Sequence, residues 1–111
     1  MNIPETIKFI KQEDIKQWKP LNENDYLIGK VIDLKSTKFG ISYKVVGDSR
    51  IGDTNSSGIL WTPPQTKIIE LMSKAQIGDY CKIYYKGNKD IGKGNPLEMY
   101  SIEIGFSNIN D

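Results

Sequence analysis

The chain has 111 residues, 38% of them apolar and 26% charged, and fifteen basic against fourteen acidic side chains leave a net charge of +1. That suits one small domain with a modest core, and it excludes both a polycation and an acidic solvating protein. No run of 18 apolar residues offers a membrane-spanning helix, and the opening MNIPET lacks the basic-then-apolar layout of a secretory signal. The single cysteine, Cys81, cannot form an internal disulfide, so a reducing, cytoplasmic location is expected. Histidine is absent. This removes the commonest general base and metal ligand, the Ser-His-Asp and Cys-His constellations and, with one cysteine, a structural zinc site. Carboxylate chemistry with magnesium is left with Asp33, Asp48, Asp53, Asp79 and Asp90, which mostly stand beside glycines in turn-like contexts. A non-enzymatic protein without cofactor or metal is therefore expected.

Residues 1–24 are polar with scattered apolar positions and read as an N-terminal extension that packs on the domain through Trp18, with Pro20 ending any helix there. Residues 25–34 have the β-branched richness of a strand, and Gly29 within them marks a bulge or strong bend. Residues 39–46 alternate, with Phe39, Ile41, Tyr43 and Val45 on one face and Ser42 and Lys44 on the other. Residues 47–58 have the composition of a long loop, and 58–62 form a short third strand. Thr62-Pro63 reads as a helix start, with Thr62 as N-cap. Ile68, Leu71, Met72 and Ala75 then fall at i, i+3, i+4 and i+7. Residues 79–86 alternate again, 87–96 form a basic, glycine-rich loop, and 98–106 place Tyr100, Ile102, Ile104 and Phe106 on one face.

The predicted order is three strands, one helix and two strands. A small barrel solves the edge problem for five such strands, and this order is that of the oligonucleotide/oligosaccharide-binding (OB) fold. The expected structure is thus mostly β: a five-stranded OB-type barrel over residues 25–107, with one helix between strands 3 and 4. Residues 1–24 form the extension and 108–111 a short tail. The helix would plug the barrel with Ile68, Leu71 and Met72 inward.

Such barrels bind through the outer face of their second and third strands and two flanking loops. Residues 26–50 hold Lys30, Lys35, Lys38, Lys44 and Arg50 against two aspartates, and 80–94 hold Lys82, Lys86, Lys89 and Lys93 against one, a net +3 in each. Positive charge is therefore concentrated where this fold would hold a nucleic-acid strand. Arg50 is the only arginine, which suits phosphate tracking over base reading. Eleven aromatics are interleaved with the lysines, as single-strand binding by stacking requires. Trp61 is the first platform candidate: Leu60 would face the core and leave Trp61 outward, while the opposite phase would bury Trp61 with Ile59. Tyr43 and Phe39 come next, although their parity with Ile41 and Val45 fits core aromatics equally well. In the fourth strand Tyr80, Lys82, Tyr84 and Lys86 share the face opposite Cys81, Ile83 and Tyr85. That face fits either nucleic acid or solvated cross-strand pairs. Cys81 reads as inert core.

The segments 28–34 (IGKVIDL), 58–61 (GILW), 77–87 (IGDYCKIYYKG) and 93–96 (KGNP), followed by YSI at 100–102, resemble small phage-encoded single-stranded DNA-binding proteins with an OB-fold. The resemblance covers about residues 25–106. It implies sequence-independent coating of single-stranded DNA in phage replication or recombination, in the host cytoplasm. Its contact positions would be Lys30, Phe39, Tyr43, Lys44, Trp61, Tyr85, Lys86 and Lys89. A homo-oligomer, and contacts with replication or recombination proteins, would fit such a role. Bacterial single-stranded DNA-binding proteins end in a long acidic tail, whereas this chain ends Ser107-Asn-Ile-Asn-Asp111, so recruitment through a tail is not expected. The rival readings are an RNA-binding OB module, which would discriminate through the 2′-hydroxyl, and a protein-interaction or virion β-barrel.

Overall fold

A computed structural model describes residues 16–89, 92 and 96–107. The elements are β1 (Tyr26–Thr37), β2 (Gly40–Ile51), β3 (Thr54–Trp61), α1 (Thr66–Leu71), β4 (Tyr80–Lys89) and β5 (Leu97–Gly105). The structure is mostly β, and the element order is the expected one. The five strands form one antiparallel sheet in the order β3-β2-β1-β4-β5. The outer strands β3 and β5 do not pair with each other among the described residues, so the sheet is not closed into a barrel.

The hairpins are tighter than the composition of the loops suggests. Thr37 pairs with Gly40, leaving only Lys38 and Phe39 in the first turn. The Thr37 hydroxyl holds that turn, donating to the Gly40 carbonyl at 2.6 Å and accepting from the Phe39 N–H at 3.1 Å. The loop expected over 47–58 is instead a hairpin, because Ile51 pairs with Thr54 across Gly52 and Asp53. Gly52 has φ +61° at the first central position, where a type II′ turn takes glycine at no steric cost. β3 escapes a pattern search because Thr54 to Gly58 are exposed on both faces and carry no apolar alternation.

Gly29 is a site of close approach. A Cβ there would lie 2.2 Å from the Val46 carbonyl oxygen, and one at its partner Gly47 would lie 2.1 Å from that of Ile28. The β1 bulge comes two residues later, between Val31 and Asp33. It shifts the phase, so that Val31 faces inward beside Val45 while Asp33 faces Lys44.

Thr62 does not cap the helix. Its hydroxyl accepts the Tyr43 N–H at 2.9 Å and its own N–H donates to the Tyr43 carbonyl at 2.8 Å. The diproline that follows carries the chain to Gln65, the N-cap of α1. The helix is only six residues long and packs on β5 and β2. Ile68, Met72 and Ala75 are buried, whereas Leu71, expected inward, is 45% exposed. Positions 68, 72 and 75 form the inward line, and Leu71, the last residue of the helix, falls outside it toward solvent.

The core joins these residues to Trp18, Leu27, Val31, Tyr43, Val45, Cys81, Ile83, Tyr85 and Tyr100. Trp18 is fully buried and links the two open edges of the sheet. Its backbone N–H donates to the carbonyl of Trp61 on β3 at 2.8 Å, and its ring lies 6.2 Å from that of Tyr100 on β5. Gln17 forms a parallel bridge to Trp61. Asp25, also buried, fixes the approach: its carboxylate accepts the N–H groups of Leu21, Asn22 and Gly52 at 2.9, 2.8 and 2.8 Å.

Candidate nucleic-acid interface

The strand register divides the sheet into two faces. On the inner face Leu27 lies between Ser49 and Ile83, and Val31 beside Val45 and Leu60. The outer face reads in cross-strand rows. Trp61, Lys44 and Asp33 form one row, and Ile59, Val46, Lys30 and Tyr80 the next. Ser57, Asp48, Ile28, Lys82 and Glu103 follow, then Asn55, Arg50, Tyr26, Tyr84 and Ser101.

Trp61 is half-buried and lies with Lys44 on the outer face, while its neighbour Leu60 packs against the core. The ammonium of Lys35 sits 4.3 Å from its ring centroid and that of Lys44 at 5.6 Å, both within reach of the ring quadrupole. A cleft of about 240 Å³ opens beside it, lined by Gln17, Lys35, Thr37, Phe39, Ser42, Trp61 and Pro64. Phe39 is 69% exposed at the tip of the β1–β2 turn, with Lys38 5.0 Å from its ring. Next to this station Val46 and Ile59 expose 37% and 42% of their surface, a continuous apolar step beside Lys30.

A second aromatic group lies on β1 and β4. Lys30 is 6.0 Å from the ring of Tyr80 and Lys86 is 5.8 Å from that of Tyr84. The rings of Tyr84 and Tyr26 are 6.3 Å apart. Lys82 projects from the same face, and Lys89 is exposed at the end of β4. Among the described residues the one ion pair is Lys67 with Glu70, on the helix. None of the outer-face lysines is thus neutralised by a carboxylate there, although Asp33, Asp48 and Glu103 temper the field. Desolvation of cations costs least when they remain at a wet surface, so these groups stay available to anions.

Two expected contact residues belong to the core instead. Tyr43 is 3% exposed and donates its hydroxyl to the Met72 carbonyl at 3.1 Å. Tyr85 is 7% exposed, donates to Asn88 Oδ1 at 2.7 Å and packs 5.5 Å from the ring of Tyr100. Both share parity with inward aliphatics, and each phenol finds a partner inside, as a buried tyrosine must. Phe39 and Ile41 were placed on the same face as Tyr43, but Phe39 lies in the turn, outside the strand alternation, and Ile41 is exposed. Lys93 lies outside the described residues. Tyr80 and Tyr26 were missed as ring contacts. The alternation in β4 already put Tyr80 on the Tyr/Lys face, but only the β1 register brings it beside Lys30.

The remaining chemistry is structural. Asp79 is buried, accepting the N–H and hydroxyl of Ser107 at 3.0 and 3.1 Å and the N–H of Gln76 at 2.9 Å. The Ser107 and Gln76 N–H groups hold its carboxyl below the ordinary carboxylate range. For Asp25, burial pushes upward but three backbone N–H donors outweigh it, and the net displacement is downward. Burial drives the Cys81 thiol up to about 11, which leaves it unreactive. No group of three or more metal-ligating side chains occurs among the described residues, and no helix there is long and apolar enough to cross a membrane. Comparisons of the chain with family models, curated proteins and solved structures find no match.

Proposed function

We propose that this protein binds single-stranded DNA along the outer face of its sheet, without reading a sequence, as a strand-protecting factor in phage replication or recombination. In this reading the sheet is an OB-type barrel left open between β3 and β5, with Trp18 filling the gap between the two edges. The order β3-β2-β1-β4-β5 supports it, because joining the two end strands would close a five-stranded barrel.

The observation that carries the functional reading is the Trp61 station. An exposed-face indole with two ammonium groups within 6 Å of its ring pairs a stacking surface with phosphate partners. Single strands are held by this combination, each stacked base contributing about 1–3 kcal/mol. Lysine in place of arginine favours backbone contact, since a point charge does not fork onto a base edge. The apolar step of Val46 and Ile59 leads from Trp61 toward Tyr80, so one strand can meet both aromatic groups.

Direct binding of labelled oligo-dT and oligo-rU over a range of salt concentrations tests this. The expected result is tighter binding of dT, with log K falling by about 0.7 for each phosphate neutralised as log salt rises. Tighter rU binding would transfer the site to RNA. Absence of binding to both at low salt would leave the aromatics as a protein-contact surface.

A further inference from the structure

A second cleft, of about 320 Å³, lies on the outer face where β1, β4 and β5 run side by side. Its size is at the lower end of small-ligand sites, which span roughly 300–1,000 Å³. The register explains why it exists. Tyr80 faces Gly105 on β5, and Lys82 faces Glu103. On the other side of β4, Lys30 and Ile28 face the same two residues. Residue 105 contributes no side chain, so the space beside Tyr80 stays open. The backbone does not require that vacancy: a Cβ on Gly105 would meet only Tyr80 Cβ, at an ordinary contact distance of 3.6 Å.

The lining chemistry selects a ligand. Tyr80, 54% exposed, offers a ring face, and Ile28 an apolar wall. Lys82 lines the cleft with positive charge, and the Lys30 ammonium lies 6.0 Å from the Tyr80 ring beside it. Glu103 is the discordant member, because a carboxylate repels phosphate. It is useful only toward a group that donates hydrogen bonds. Amino-bearing bases present such donors, whereas thymine has one ring N–H between two carbonyl oxygens that repel a carboxylate.

We propose that this cleft is a nucleobase pocket that prefers an amino-bearing base to thymine, with Tyr80 stacking on the base, Glu103 accepting from its amino group, and Lys30 and Lys82 holding the flanking phosphates. The proposal rests on the single-strand reading and adds one composition-sensitive position to an otherwise indifferent track.

Anisotropy titrations with labelled oligo-dC and oligo-dT of equal length, on the full chain, test it. Wild type should bind dC about tenfold more tightly, the scale of one charge-assisted hydrogen bond. Glu103→Gln should weaken dC and strengthen dT, since an amide donates to a thymine carbonyl as readily as it accepts from cytosine. Removal of negative charge alone would tighten both, leaving their ratio unchanged. Gly105→Leu should fill the cleft and abolish the preference while retaining dT binding at Trp61. Equal wild-type affinities for dC and dT, or a ratio unmoved by Glu103→Gln, would overturn the pocket while leaving the single-strand reading intact. Failure of both oligonucleotides to bind would overturn that reading and the pocket with it.

Discussion

Tyr84 and Tyr85 are neighbours in one strand and differ in almost every other respect. Tyr85 turns inward, buries its ring against Tyr100 and spends its hydroxyl on Asn88. Tyr84 turns outward, half-buried, between the ring of Tyr26 and the ammonium of Lys86. The same division runs across the sheet: Tyr43 is sealed inside while Lys44, the next residue, reaches over Trp61. Residue type therefore does not decide which aromatic rings this protein leaves open to a ligand. Strand phase does, by deciding whether an aromatic meets aliphatics and an internal acceptor or meets solvent and lysine.

The two faces should separate under mutation. The largest effect belongs to the inner face: Trp18→Ala empties a fully buried site between β3 and β5 and should cost about 3–5 kcal/mol of stability. Chemical denaturation reads that loss directly. An unchanged midpoint would remove Trp18 as the link between the open edges. A smaller contrast compares the adjacent tyrosines. Tyr85→Phe deletes the hydrogen bond to Asn88 and should lower stability by about 1 kcal/mol without changing DNA affinity. Tyr84→Ala should do the reverse, weakening oligo-dT binding by about 1 kcal/mol, the low end of a stacked base. Measurement of both quantities on both variants would break the comparison if the roles were exchanged.

The smallest effect is acid sensitivity, which two buried carboxylates of the inner framework supply. Asp25 and Asp79 both have folded-state values lowered from the ordinary 3.8. Their contribution is fully present above that value and is lost as pH falls through the lower folded values. Thermal unfolding should therefore move to lower temperature in acid, and Asp25→Asn or Asp79→Asn should flatten that dependence. An equally steep profile in both variants would assign the acid response to other carboxylates.

Much of the framework was legible in the sequence, where alternation and the helical stripe had a buried face to report. β4 is the clearest case, since Cys81, Ile83 and Tyr85 face in and Tyr80, Lys82 and Tyr84 face out. The helical spacing found Ile68, Met72 and Ala75, but it could not show that α1 would end at Leu71. β3 from Thr54 to Gly58 was illegible because both of its faces meet solvent, so no apolar pattern marks it. Of the site, Trp61 was reachable through Leu60. The pairing of Lys35 with Trp61 lies beyond the β1 bulge, and that of Lys30 with Tyr80 depends on the β1–β4 register; single-strand parity contains neither.

Tryptophan fluorescence puts the central claim to its most direct test, because the chain has two reporters in opposite environments. Trp18 is fully buried and Trp61 stands on the outer face between two lysines. Titration with oligo-dT at low salt should quench the emission. Added salt should reverse the quenching, and Trp61→Ala should abolish it while leaving the Trp18 signal unchanged. No quenching together with no binding, or quenching that survives Trp61→Ala, would contradict a stacking site at Trp61.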